Sequence, residues 1–208
     1  MKIIAITQRL ISNQSYFEIR EALDIKWGKL LKKSNFIPII LPIEFGYKKY
    51  FESIKIDGII LTGGNDTNKM NNNNLSLKRD IFEKKLIKYA IKNHIPILGV
   101  CRGMQIIGEY FGASFKKVKG QVAIRHSLRI NKKSRYLKEL KKISTVNSFH
   151  NHAIDILPKN LIISATNQDG MIKSIEHKKY KIFGQMWHTE RENNFKNNQI
   201  NLIKKIFK

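Results

Sequence analysis

Apolar positions along this chain fall into two contrasting patterns. Unbroken apolar runs within residues 2–7, 36–41, 57–62 and 95–100 read as buried strands, because strands covered on both faces lose the alternation of half-exposed ones. Helical spacing marks the segments between them. Ser15-x-x-Glu18 has the form of a capping box, and Ile19, Leu23, Trp27, Leu30 and Leu31 follow, predicting a helix that runs to about residue 34. Pro42 closes the second strand, and residues 43–56 read as irregular with one short helix. Phe82, Leu86 and Tyr89 share one face of a helix predicted over 77–93. The asparagine tract 71–74 before it reads as a mobile polar loop, close enough to the third strand to act as a lid.

Strand alternating with helix predicts an α/β fold: one domain over 1–208, with a doubly wound, mostly parallel sheet flanked by helices and sites at the strand C-termini. Beyond Gly112 the pattern turns β-rich. Residues 114–118, 122–130, 143–147, 161–166, 171–176 and 180–187 read as strands, with Asp169-Gly170 as a turn signal. A closing helix over 195–207 carries Ile200, Ile203 and Phe207 on one stripe.

The fourth apolar run ends in Gly99-Val100-Cys101-Arg102-Gly103, and Ile106, Ile107, Tyr110 and Phe111 then recur at helical spacing. Small residues two before and two after a nucleophile permit the strained strand-turn-helix elbow that pushes its side chain into the open. A lone cysteine among apolar residues is most often inert packing, but the paired glycines argue for the elbow here. At a helix N-terminus the dipole and unpaired N–H groups favour thiolate over thiol. Gly63-Gly64-Asn65-Asp66, ending the third strand, is by itself only a turn, yet its backbone N–H groups can face a ligand.

A thiol nucleophile needs a base and a group that orients the base. Of the six histidines, His188 follows the apolar run 182–187 and stands two residues before Glu190; in extended chain these side chains project to one side. His150 and His152 form a His-x-His pair, but no Cys, Asp or Glu stands near in sequence to complete a tetrahedral set, so no metal is assigned. His94, His126 and His177 read as surface or core residues.

Composition changes this picture little. The net charge of +23 invites a nucleic-acid reading, but the lysines are spread along the chain and no basic block is interleaved with aromatics. An anionic small-molecule substrate, with neither nucleic acid nor membrane as partner, is the reading retained. No apolar run approaches the ~20 residues that span a bilayer, and the N-terminus lacks the pattern of a signal peptide. A single Cys excludes an internal disulfide, and a reducing cytoplasm fits. Oligomeric state is left open.

These residues resemble the class I glutamine amidotransferase-like family, and within it the γ-glutamyl hydrolase (peptidase C26) branch. The likeness rests on Leu61-Thr62-Gly63-Gly64-Asn65-Asp66, Arg79-Asp80-x-Phe82-Glu83, Gly99-Val100-Cys101-Arg102-Gly103-Met104-Gln105, Val146-Asn147-Ser148-Phe149-His150, Asp169-Gly170 and Gly184-Gln185-Met186-Trp187-His188-x-Glu190. It implies Cys101 as nucleophile, His188 as acid and base, Glu190 as orienting carboxylate, and the backbone N–H groups of Gly64 and Arg102 as oxyanion hole. Gly63, Gln105, Asn147 and Ser148 would surround a γ-glutamyl group, with no cofactor. Thr189 stands where the branch usually has Pro, and His152 where it usually has Gln.

A narrower likeness, in Ile6-Thr7-Gln8-Arg9 and Glu18-x-Arg20-Glu21-Ala22-Leu23-Asp24-x-x-Trp27, is to small members of the branch that act in surface-polysaccharide cassettes. It implies a γ-glutamyl amide substrate whose leaving group carries a nucleotide. The alternatives are hydrolysis of γ-glutamyl-GABA-type amides and a glutaminase subunit that feeds ammonia to a synthase; Arg102 in the elbow is read as favouring a substituted amide. A basic binding protein on an inert scaffold stands as the rival from another class.

Overall fold

A computed structural model describes residues 1–208. In chain order its elements are β1 (Lys2–Ile6), β2 (Arg9–Ser12), β3 (Ile19–Ala22), α1 (Lys26–Lys33), β4 (Phe36–Ile40), α2 (Lys48–Ser53), β5 (Gly58–Leu61), α3 (Asn74–Lys92), β6 (Ile97–Val100) and α4 (Arg102–Tyr110). The second half adds β7 (Phe115–Lys117), β8 (Val122–Ser127), β9 (Arg129–Ile130), α5 (Leu137–Leu140), β10 (Thr145–Phe149), β11 (His152–Ile154), β12 (Leu161–Thr166), β13 (Ile172–His177), β14 (Ile182–Gln185) and α6 (Asn197–Ile206).

The central sheet has eight strands in the order β4-β1-β5-β6-β14-β13-β12-β9. The first five run parallel, and β13, β12 and β9 alternate antiparallel at the far side. Every residue of β5, β6 and β14 is buried. Successive side chains in a strand face opposite ways, so both faces of the sheet centre are covered. α4 packs on β5, β6 and β14 with α3 beside it, while α6 reaches β6. One apolar cluster of 41 buried residues runs from Ile4 to Phe207. No helix is long and apolar enough to cross a membrane.

Two expectations for the first half of the chain fail, each for a local reason. The helix expected from the Ser15 capping box is instead the hairpin β2–β3 followed by the short α1. Asn13 takes the Ser15 N–H on its side-chain oxygen at 3.2 Å, and the Asn13 N–H closes onto Glu18 O at 2.8 Å, so a turn captures the donors a helix would have used. The helix starts after Asp24, whose carboxylate accepts the Lys26 N–H at 2.8 Å.

The asparagine tract is not a free loop either. Asn73 caps α3 by accepting the Ser76 N–H at 2.8 Å, and Asn74 is the first helical residue, so the helix begins three residues earlier than its apolar face suggests. In the second half, 122–130 splits into β8 and β9, and β11 is an additional strand that pairs with β7.

Candidate active site

Topology gathers the candidates at one edge. β5, β6 and β14 are parallel neighbours, so the segments leaving them, 62–64, 101–102 and 186–190, emerge side by side. The Cys101 N–H extends the pairing by donating to Gln185 O at 2.8 Å.

Cys101 has the backbone of a nucleophile elbow, with φ 52° and ψ −104°, outside the region open to ordinary L-residues. Such a conformation costs on the order of 1–3 kcal/mol and persists only where its surroundings enforce it. Here the enforcement is close packing. A methyl group on Gly103 would lie 2.0 Å from Leu61 O, and one on Gly99 would lie 2.4 Å from Gly103 O. Only glycine lets α4 approach β5 and β6 this closely, and that approach fixes the turn between them. The thiol is buried, with Sγ 4.0 Å from Phe149 O.

His188 and Glu190 are buried beside it, and His188 Nδ1 lies 2.6 Å from Glu190 Oε1. Nε2 has no hydrogen-bond partner. A methyl group on Gly63 would lie 2.8 Å from His188 Cε1 and 3.6 Å from Cys101 Cβ, so the glycine loop touches both residues. Burial works against the imidazolium, but the charges of Glu190 and Cys101 outweigh it and raise His188 to about 9. The turn is braced from within. Gln185 Nε2 donates to Trp187 O at 3.0 Å and to Thr189 Oγ1 at 3.1 Å, so Thr189 offers an acceptor where proline has none.

The glycine loop is held by buried charge. Arg79 on α3 donates from Nη1 to Gly63 O at 3.1 Å and from Nη2 to Thr62 O at 2.8 Å, while its Nε pairs with Glu83 at 3.0 Å. Glu83 also accepts from Thr7 Oγ1 at 2.7 Å and pairs with Arg102, which bridges on to Asp80. Burial and the neighbouring Arg102 lower Arg79 to about 10; for Glu83 burial pushes up, and the two guanidinium groups pull it below the usual carboxylate range. The N–H groups of Gly64 and Arg102 donate to no backbone carbonyl, and Gly64 sits at φ +129°. The Arg102 side chain is 1% exposed and points into this cluster, so it does not select for substituted amides.

The remaining sequence candidates divide. Gln105 stands one turn along α4 from Cys101 and donates to His152 O at 3.2 Å. Asn147 is committed to the neighbouring main chain: its Oδ1 accepts the His188 N–H at 2.8 Å, and its Nδ2 donates to His188 O at 2.7 Å and to Glu192 at 2.9 Å. Ser148 Oγ accepts from Lys173 Nζ at 3.3 Å.

Lys173 was not among the sequence candidates. It is 1% exposed on β13, and its ammonium also contacts Gln121 Oε1 at 2.9 Å and His150 Nε2 at 3.0 Å. All three partners are neutral, and no carboxylate lies within ion-pair distance of it. Burial lowers Lys173 to about 8 against the opposing pull of Cys101 and Asp169. Burial and the Lys173 charge lower His150 to about 3, leaving a neutral ring that donates from Nδ1 to His152 O and accepts at Nε2. The His150 ring is thereby committed to main chain and lysine, whereas the His152 ring turns to Asp66, its Nδ1 3.6 Å from Oδ1. Lys173 stands in β13 among Ser174, Glu176 and His177, so the sequence carries no signal that sets this lysine apart.

The sequence matches the peptidase C26 family over residues 2–190. It is 42% identical over 200 residues to the γ-glutamyl-CDP-amidate hydrolase of Campylobacter jejuni, covering 95% of this chain and 94% of the relative. A glutamine amidotransferase-like protein of Lactococcus lactis is 32% identical over 73% of each chain. Among solved structures, a GMP synthase component of Thermoplasma acidophilum superposes over all of this chain and 94% of its own, at TM-score 0.73 and 21% identity. A glutamine amidotransferase of Thermotoga maritima gives TM-score 0.68 at 18% identity, over 98% of this chain and 83% of its own. These two establish a shared fold.

Proposed function

We propose, for a chain that belongs to the peptidase C26 family, a cysteine-dependent hydrolase that cleaves a γ-glutamyl amide and releases L-glutamate. The substrate is γ-glutamyl-CDP-amidate, and the other product is cytidine diphosphoramidate, a donor for capsular polysaccharide modification. The observation that carries this reading is the likeness to the Campylobacter hydrolase along nearly the full length of both chains.

In this reading thiolate Cys101 attacks the γ-carbonyl carbon, and the N–H groups of Gly64 and Arg102 receive the oxyanion. Each such donor is worth ~3 kcal/mol of transition-state stabilisation. Imidazolium His188 gives its Nε2 proton to the leaving nitrogen, the C–N bond breaks, and a γ-glutamyl thioester remains. Water then gives a proton to the now neutral His188 and attacks the thioester, releasing glutamate and restoring the thiolate–imidazolium pair. Glu190 fixes the tautomer through Nδ1. Gly63, Gln105 and Ser148 line the glutamyl side, and Asn147 supports the site by clamping the His188 main chain. Lys173 holds Ser148 as an acceptor, which leaves its hydroxyl hydrogen free to donate to substrate.

The deciding assay is glutamate release from L-glutamine, γ-glutamyl-GABA and γ-glutamyl-CDP-amidate. Preference for the nucleotide amidate is expected. Cleavage of glutamine alone, or only once a partner is added, replaces this reading with that of a glutaminase serving a synthase.

The raised imidazolium sets a pH dependence. His188 must be protonated to donate to the leaving nitrogen, so kcat/KM falls as pH rises through about 9. Glu190→Gln removes the main group supporting the charge and moves that descending limb to lower pH. The same group acts on stability: its raised value contributes below the ordinary histidine range, near ~6.5, and that contribution is lost as pH rises through about 9. A limb that stays in place in the Glu190→Gln protein contradicts the assignment.

A further inference from the structure

Five of the residues that set this chain's N-terminal segment apart, Arg9, Ala22, Leu23, Asp24 and Trp27, line one cleft. It is about 220 Å³ in volume, and its wall includes Arg9, Asp24 and Trp27 from that segment together with Gly64, Glu190 and Arg191. Arg9 pairs with Ala22 across the β2–β3 hairpin, and Gln8 ties the hairpin down by donating to Glu21 at 2.8 Å. Trp27 is buried, and the Asp24 carboxylate is occupied by the Lys26 N–H.

Arg9 packs directly on the glycine loop. A methyl group on Gly64 would lie 2.8 Å from Arg9 Cβ and 3.2 Å from its Cδ. Its guanidinium takes part in none of the chain's ion pairs. Arg191, which also lines the cleft, lies over the Phe149 ring at 5.0 Å. The carboxylate nearest to it, Glu190 at 4.0 Å, already holds His188. Two guanidinium groups with no carboxylate of their own thus share one cleft with Gly64.

We propose that this cleft is a diphosphate subsite, in which Arg9 and Arg191 hold the phosphoryl oxygens of the leaving group. Planar guanidinium forks match phosphate oxygens in geometry and charge. A group bonded to a carbonyl carbon between Cys101 and Gly64 leaves the reaction centre beside Arg9. Neutralising the phosphates also draws electrons from the departing nitrogen. The inference rests on the nucleotide-amidate reading for its substrate and on the cleft for its residues.

The test uses CDP, cytidine and inorganic pyrophosphate as probes in calorimetry with the full-length Cys101→Ala protein, so that no turnover intervenes. CDP is expected to bind at least tenfold more tightly than cytidine, and pyrophosphate to compete with it. Arg9→Gln and Arg191→Gln, both at exposed positions, are each expected to weaken CDP binding about tenfold or more. In active protein the ratio of kcat/KM for γ-glutamyl-CDP-amidate to that for γ-glutamyl-p-nitroanilide is expected to fall to the same extent. CDP affinity unchanged in both variants, or cytidine binding as tightly as CDP, overturns the subsite. Loss of CDP binding in the variants supports it even where wild type prefers another γ-glutamyl amide, in which case the substrate reading fails and the subsite stands.

Discussion

Replacing Cys101 by alanine lowers glutamate release by a factor on the order of 10⁴–10⁶, the range seen when the nucleophile of a catalytic triad is removed. In the proposed mechanism every other group acts on an intermediate that this sulfur forms. Stability is expected to fall slightly, because the Cys101 charge that supports the His188 imidazolium is lost while alanine, which also carries a Cβ, keeps the unfavourable φ. Release of glutamate at the wild-type rate from Cys101→Ala, measured with purified protein, removes the cysteine mechanism. The same result is what the rival reading of a basic binding protein on an inert scaffold predicts for any trace activity.

Arg102→Met gives the largest loss of stability. Arg102 bridges Asp80 and Glu83 at 1% exposure, and Arg79 remains to compensate only Glu83. Breaking a buried ion pair from one side costs about 3–5 kcal/mol, because the partner left behind is a desolvated charge. Denaturant midpoints measure this directly. Asp80→Asn in the Arg102→Met background removes the stranded charge and is expected to recover part of the loss, whereas simple cavity formation predicts that the two losses add. The cluster also explains why the segment 79–83 matters to a site it does not enter. Through Arg79 it holds the carbonyls of Thr62 and Gly63 and so presents the next N–H, that of Gly64.

The parts of this design carried by local pattern were legible in the sequence. Glycines around Cys101, unbroken apolar runs and the His188-x-Glu190 spacing each state a short-range geometric requirement, and the parallel sheet follows from strand and helix in alternation. What could not be read depended on partners far along the chain or on competition between local donors. Ser15 and Glu18 had capping-box spacing, but Asn13 competed for the same N–H and a hairpin resulted. Asn73 reads as part of a low-complexity tract, whereas its side chain caps α3. Lys173 reads as a solvent-facing residue because its acceptors, Gln121, Ser148 and His150, lie 52, 25 and 23 residues away. Arg102 misled in the opposite direction. Its place in the elbow suggested contact with substrate, whereas its side chain turns inward to Asp80 and Glu83.

The most direct measurement is acid-quenched single turnover of γ-glutamyl-CDP-amidate followed by intact-protein and peptide mass spectrometry. The mechanism predicts a transient mass gain of one γ-glutamyl group, located on the peptide that contains Cys101, labile to mild base and absent from Cys101→Ala. Substrate consumed through the same time course with glutamate released and no adduct at any quench time, or an adduct on another residue, contradicts it.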